Sequence, residues 1–301
     1  MSLQSILNGP ISLTLARFLA RSFSPEKGYA LGEWLADRIA GQKKASIVRT
    51  IRANQWVIHQ ENISQEELAH AVRETLREGA RCIYTYFHFF EDSKAILDRV
   101  EFSPSFLDVF NEAQTSSRGA LWVSPHLSNF DIVGKALALR GLQFQVLSYP
   151  SPGRGYVQQN NLRARAGIEV TPFSPSALRT ARIRLSQGGL VLTGIDRPLP
   201  DPKYRPAFFG RPSAAPVAYI RLALQANVPV IVVAIQATAQ DRYLVSASPP
   251  IEMVPYPDND SEFMKNAENV LAIAETFIRQ TPYQWLMYYP VWPEVLLEKL
   301  F

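Results

Sequence analysis

The chain has one cysteine, Cys82, in 301 residues. A lone thiol allows no intrachain disulfide and no thiolate metal cluster. Its expected place is inside a helix, as a small apolar side chain. Histidine is nearly as scarce, with four residues, His59, His70, His88 and His126. They form no H-E-x-x-H or other metal-spaced group, so no metal site is expected. No stretch reaches the ~18 uncharged apolar residues of a spanning helix. The N-terminus lacks the basic start, apolar middle and small-residue cleavage site of a signal peptide. From these two absences the protein is expected to stay in the cytosol or against the cytosolic leaflet. There is no G-x-S-x-G elbow and no P-loop. Gly153-Arg-Gly155 begins like a dinucleotide fingerprint, but Gln158 stands where the third glycine belongs. The net charge of +4 comes from scattered Lys and Arg, which argues against nucleic acid as a partner. A mild positive balance suits an anionic membrane surface or a phosphorylated substrate.

With 47% apolar and 19% charged residues, the chain can build a substantial core. Its first hundred or so residues read as helices. Apolar positions at Ile11, Leu15, Phe18 and Leu19 mark one over Ile11 to Phe23, and Pro25 opens a second. A third runs from Lys43 to about Ile58. Ser64 with Glu67 forms a capping box that starts a long helix toward Phe90, and Pro104 opens another. After Gly119 the texture changes. Short apolar runs at Ala120–Val123, Phe144–Tyr149, Glu169–Phe173, Leu190–Ile195, Val228–Ala237 and Tyr243–Ala247 alternate with helical patterns at Asn129–Leu139, Tyr156–Ala166, Pro175–Ser186 and Ala214–Gln225. A last helix spans Glu262 to Arg279. This alternation predicts an α/β fold, a mostly parallel mixed sheet flanked by helices, with an all-helical N-terminal layer. No linker or repeat divides the chain, so residues 1–301 are expected to form one domain, with 1–115 as the helical layer and 116–301 as the α/β core.

The stretch that carries chemistry is Ser124-Pro125-His126-Leu127-Ser128-Asn129-Phe130-Asp131. A strand delivers His126 at its end, where α/β folds place ligands. Asp131 follows five positions later, at the start of a helix. A neutral imidazole nitrogen can take a proton from a hydroxyl, and a carboxylate on the other nitrogen fixes the tautomer. The spacing alone is weak, because Asp and Glu fill 27 of 301 positions, about one in eleven. Asn129 or Ser128 could cap the helix, and its free backbone N–H groups favour anions. Arg163 and Arg165 could pair with phosphates, or form a solvated helix face. Asp196 ends another buried strand, so it would sit at the same rim as His126. There it could support the histidine, bind an acceptor, or merely cap a turn.

Taken together, these features resemble the bacterial lipid A biosynthesis acyltransferase family, which includes the lauroyl and myristoyl transferases and the phosphatidylinositol mannoside acyltransferases. The family's H-x4-D/E phrase reads here as His126-Leu-Ser-Asn129-Phe130-Asp131, with Phe130 in place of the usual Trp. Asn160-Asn-Leu-Arg163-Ala-Arg165-Ala-Gly167 is similar to its arginine-containing block. Leu185 to Arg197, including Gly188 and Asp196, resembles its glycine–strand–acid segment. Phe208-Phe209-Gly210-Arg-Pro212 resembles its F-F-G-x-P block, with Ala215 and Val217 where Thr and Gly are usual. Pro282-Tyr-Gln284-Trp285 matches its P-x-Q-W tail. The histidine and arginine that usually follow that tail are Tyr288, Tyr289 and Pro290 here. An arginine often found before a proline after the second strand is absent, where Ser148-Tyr149-Pro150 stands.

The resemblance implies a glycerolipid acyltransferase-like fold. It implies transfer of a fatty acyl chain from acyl-CoA or acyl carrier protein to a hydroxyl of a glycolipid or phospholipid, with no metal or prosthetic group. By resemblance, His126 is the general base, Asp131 holds it, and Asn129, Arg163, Arg165 and Asp196 are substrate-binding candidates. An apolar groove should run from His126 to measure the chain. The expected location is the cytoplasmic face of the bacterial inner membrane, with peripheral attachment; Leu3, Ile6, Leu7 and the Ile11–Phe23 helix suit shallow insertion there, the competing reading being a helix packed on the core. Two rival functions share the same residues: a thioesterase or lipid hydrolase that uses water, and a catalytically silent lipid-binding relative.

Overall fold

The computed structural model describes residues 10–150, 154–238 and 242–297. The N-terminal part is helical, as its apolar spacing predicts. It comprises α1 (Pro10–Ser22), α2 (Pro25–Ala40), α3 (Ser46–Ile58) and α4 (Gln65–Phe89). The capping box forms where the sequence places it. Ser64 Oγ accepts from the Glu67 N–H at 3.2 Å, and Glu67 Oε2 accepts from the Ser64 N–H at 3.0 Å. α4 is the spine of this layer, and α1, α2 and α3 all pack against it. Leu3, Ile6 and Leu7 lie outside the described residues.

Two short elements that periodicity does not reveal follow, α5 (Ser93–Arg99) and the three-residue β1 (Val100–Phe102), and then α6 (Pro104–Thr115). From there strands and helices alternate: β2 (Ala120–Ser124), α7 (Phe130–Leu139), β3 (Phe144–Ser148), α8 (Arg154–Arg165), β4 (Glu169–Pro172), α9 (Pro175–Ser186) and β5 (Leu190–Gly194). The small hairpin of β6 (Ala207–Phe208) and β7 (Arg211–Pro212) precedes α10 (Ala218–Ala226), β8 (Val230–Thr238), β9 (Arg242–Ala247) and α11 (Asn259–Gln280). α10 starts at Ala218 rather than at the expected Ala214. Pro216 disfavours helical backbone at Ala215, and the Ala214 N–H is spent on the Val291 carbonyl at 2.9 Å.

Seven strands form one sheet in the order β1-β9-β8-β2-β5-β3-β4, parallel except for the β8–β9 pair. Successive side chains of a strand point to opposite faces. On β2, Leu121 and Val123 join one core cluster and Trp122 the other, and all three are fully buried. Burial on both faces is why these strands read as continuous apolar runs. After α11 the chain crosses back over the sheet. Trp285 and Trp292 in this tail pack with Phe208, whose ring centroid lies 6.0 Å and 5.6 Å from theirs. Phe208 is fully buried, so Phe208→Ala is expected to cost about 3–5 kcal/mol of stability in urea unfolding. A loss below about 1 kcal/mol would show that the tail does not depend on this cluster.

Candidate active site

β2 and β5 are parallel neighbours in register, with Ser124 opposite Gly194. His126 and Asp196 each lie two residues beyond that pair, so the sheet itself delivers them side by side. The His126 Nδ1–H donates to Asp196 Oδ1 at 2.5 Å. The other carboxylate oxygen accepts the His126 backbone N–H at 2.7 Å and the Trp285 indole N–H at 2.7 Å. The Asp196 side chain is wholly buried, while that of His126 is 25% exposed. A buried carboxylate needs such donors, because it has lost its water. With the Nδ1 proton held by Asp196, Nε2 of the neutral ring is left as the acceptor.

The loop that carries the imidazole is pinned on three sides. The Leu286 N–H donates to the His126 carbonyl at 2.8 Å, and the Ser128 N–H donates to the Gln284 carbonyl at 2.8 Å. The Gln284 side chain is in turn clamped to β8, with its amide group donating to the Ala237 carbonyl at 2.9 Å and its carbonyl accepting the Ala237 N–H at 2.8 Å. Ser128 takes the left-handed conformation, φ 46°, which is unfavourable for a residue with a Cβ. Its hydroxyl is held by Glu78 Oε1 at 3.1 Å. Gly194 lets the ring approach, since a Cβ built there would lie 2.9 Å from His126 Cε1.

Asp131 does not hold His126. Its carboxylate accepts from Arg163 Nε at 2.6 Å, on the first turn of α7, and Arg163 also donates to Asn160 Oδ1 at 2.8 Å. The five-residue spacing brings both side chains to one cavity, but the acid that reaches the imidazole comes from a different strand. Asn129 is buried, and its amide works within the protein. Its Nδ2 donates to the Cys82 carbonyl at 3.0 Å and Tyr243 Oη at 3.2 Å, and its Oδ1 caps α7 through the Ile132 N–H. It joins α4 and β9 to the start of α7. Arg165 is exposed at the end of α8 and does not line the cavity. Cys82 is buried on α4, and burial together with the nearby Glu78 carboxylate pushes its thiol pKa up. Trp285 is the functional neighbour that residue-type reasoning misses; its signal was the tail block P-x-Q-W.

A cavity of about 270 Å³ opens at His126 and is lined by side chains of β2, β3, β5 and β8 together with α7 and α10. His126, Asp131, Arg163 and Arg197 line it, and its walls are otherwise mostly apolar, among them Val133 and Leu137 of α7, Phe144 and Val146 of β3, and Leu222 of α10. Phe130 packs its ring edge to face with the imidazole, centroids 5.5 Å apart. Among the described residues no group of three or more His, Cys, Asp or Glu could hold a metal ion. An oriented imidazole facing an apolar cavity can deprotonate a hydroxyl or water next to a lipid-soluble substrate.

This arrangement has direct tests. Nitrogen NMR should show the Nδ1–H tautomer of His126 in the native protein and in Asp131→Asn, and its loss in Asp196→Asn; the reverse pattern would return the orienting role to Asp131. Trp285→Phe should lower stability by about 1–3 kcal/mol, because the buried carboxylate loses a donor; denaturant unfolding at unchanged stability would contradict the geometry.

The model of the bacterial lipid A biosynthesis acyltransferase family matches residues 9–293. A search of curated proteins returns no match. Among solved structures, the chain is similar to the 1-acyl-sn-glycerophosphate acyltransferase PlsC from Thermotoga maritima, with 15% identity, 84% of this chain and 97% of that chain covered, and a TM-score of 0.37. The family match spans nearly the whole sequence and includes the strand, histidine and tail blocks that build the site. The chain belongs to the bacterial lipid A biosynthesis acyltransferase family and is a lipid acyltransferase.

Proposed function

We propose that this protein works peripherally at the cytoplasmic face of a bacterial inner membrane, moving a fatty acyl chain from acyl-CoA or acyl carrier protein to a hydroxyl of a glycolipid or phospholipid. The observation that carries this reading is the imidazole of His126, oriented by Asp196 at 2.5 Å, at the mouth of an apolar cavity. The acyl chain lies in the cavity with its thioester carbonyl near His126. Nε2 takes the proton of the acceptor hydroxyl as its oxygen attacks that carbonyl. Asp196 stabilises the imidazolium that forms. Backbone N–H groups at the start of α7 face the developing oxyanion, aided by the helix dipole. The intermediate collapses, the thiolate leaves, and the imidazolium returns the proton to it. Asp131 and Arg163 tie α8 to the cavity mouth.

Membrane contact follows from the substrates, since both an acyl chain and a lipid acceptor reside in the bilayer. Among the described residues no helix is long and apolar enough to cross a membrane. Leu15 and Phe18 on α1 and Trp34 on α2 are more than half exposed. Such apolar side chains suit shallow insertion at an interface.

The test is incubation of the purified protein with radiolabelled acyl-CoA and a membrane lipid extract. Labelled lipid should form. His126→Ala and Asp196→Asn should each reduce it by about two to four orders of magnitude. Free fatty acid without acylated lipid would make the protein a hydrolase. Transfer unaffected by His126→Ala would remove the histidine from the chemistry.

A further inference from the structure

Most polar side chains of the cavity wall are already partnered. Ser124 Oγ donates to the Pro125 carbonyl at 3.0 Å, and Thr193 Oγ1 donates to the Leu147 carbonyl at 3.2 Å. His126 faces Asp196, and Asp131 faces Arg163. Two buried donors of the wall stand apart. Trp122 Nε1 and Tyr219 Oη have no hydrogen-bond partner among the described residues, although the two residues are only 1% and 4% exposed. A buried polar atom without a partner is rare, because it has lost its water and gained nothing in exchange.

Position separates the two. Trp122 lies in the middle of β2, and its ring packs edge to face with Phe106, centroids 5.4 Å apart. Tyr219 lies on the first turn of α10. That helix ends just before β8, which runs parallel to β2, so its start lies toward the strand-end rim that carries His126. The segment before α10 is tied to the same rim. Leu199, three residues past Asp196, donates its N–H to the Ala214 carbonyl at 2.9 Å. Leu199, Pro216 and Tyr219 all line the cavity. Burial pushes the Tyr219 phenol pKa up, so the group stays protonated at neutral pH and is able to donate.

A saturated fatty chain carries one hydrogen-bond acceptor, the carbonyl at its head. Its hydrocarbon offers a phenol nothing. In the acyl donor that head is the thioester that must reach His126. In an acceptor lipid that already bears a chain it is an ester. Either would bring a carbonyl oxygen to the rim. We propose that Tyr219 Oη is a substrate-binding donor that holds the carbonyl oxygen at the head of a fatty chain, in the thioester of the donor or in an ester of the acceptor lipid. This deepens the acyltransferase reading and rests on it.

The test titrates the protein with two matched pairs of ligands, each below its aggregation concentration. Lauroyl-CoA is set against its thioether analogue dodecyl-CoA, and 1-lauroylglycerol against 1-O-dodecylglycerol. Within each pair only the carbonyl differs. The wild type should bind the carbonyl member of at least one pair about three- to tenfold more tightly. Tyr219→Phe should abolish that advantage and leave the affinity for the carbonyl-free member unchanged. The pair that responds identifies the source of the carbonyl. No carbonyl preference in the wild type, a preference kept in Tyr219→Phe, or no binding of either pair overturns the proposal. Thermal melting of the ligand-free protein separates binding from folding. Because the hydroxyl has no partner to lose, Tyr219→Phe should melt at or above the wild-type Tm, and a lower Tm would give the hydroxyl a structural role and overturn the proposal. Should the wild type transfer no acyl group, the function reading fails by itself, and the titrations still read Tyr219.

Discussion

The site depends on one buried carboxylate. Asp196 has no solvent, and it accepts from the His126 ring, the His126 backbone and the Trp285 indole. An ionised group in that setting is tolerable only with donors on each oxygen, and those donors come from two distant parts of the chain. The register of β2 against β5 brings in the imidazole, and the tail brings in the indole. The same contacts that satisfy the carboxylate therefore fix the ring. This explains why an unfavourable backbone at Ser128 is retained: the loop is over-determined by the tail, by Glu78 and by Asp196.

Near the cavity mouth two acids serve two different partners. Asp196 serves the imidazole and Asp131 serves Arg163. Two acids on one carboxyl-end rim could have competed for one histidine. The fold keeps them apart, because Asp131 lies on the first turn of α7 whereas Asp196 lies two residues past the end of β5, against the imidazole. Excluding water with apolar walls strengthens each of these interactions, since the local dielectric falls.

Much of the fold was legible along the chain. Strands buried on both faces leave unbroken apolar runs, and the capping box at Ser64 and the proline at Pro104 mark helix starts. The short β1 and α5 left no such trace, because three to seven residues are too few for a period to show. His126 and the importance of its position could be read from a strand exit. Its partner could not. Local spacing favoured Asp131, whereas the acid in contact is 70 positions away. Asn129 looked available for substrate as a polar residue in a motif, yet its hydrogen-bonding atoms are spent on α4, β9 and α7.

The sequence alone determined the class of fold, the place of the histidine and the family, because hydrophobic period, caps and ordered motif blocks are local properties of the chain. Tertiary structure decided which carboxylate orients the imidazole and which arginine takes the other acid. Those outcomes turn on the order of strands in the sheet and the return path of the tail. Neither is encoded in any short stretch, since strand neighbours are chosen by burial summed over the whole core.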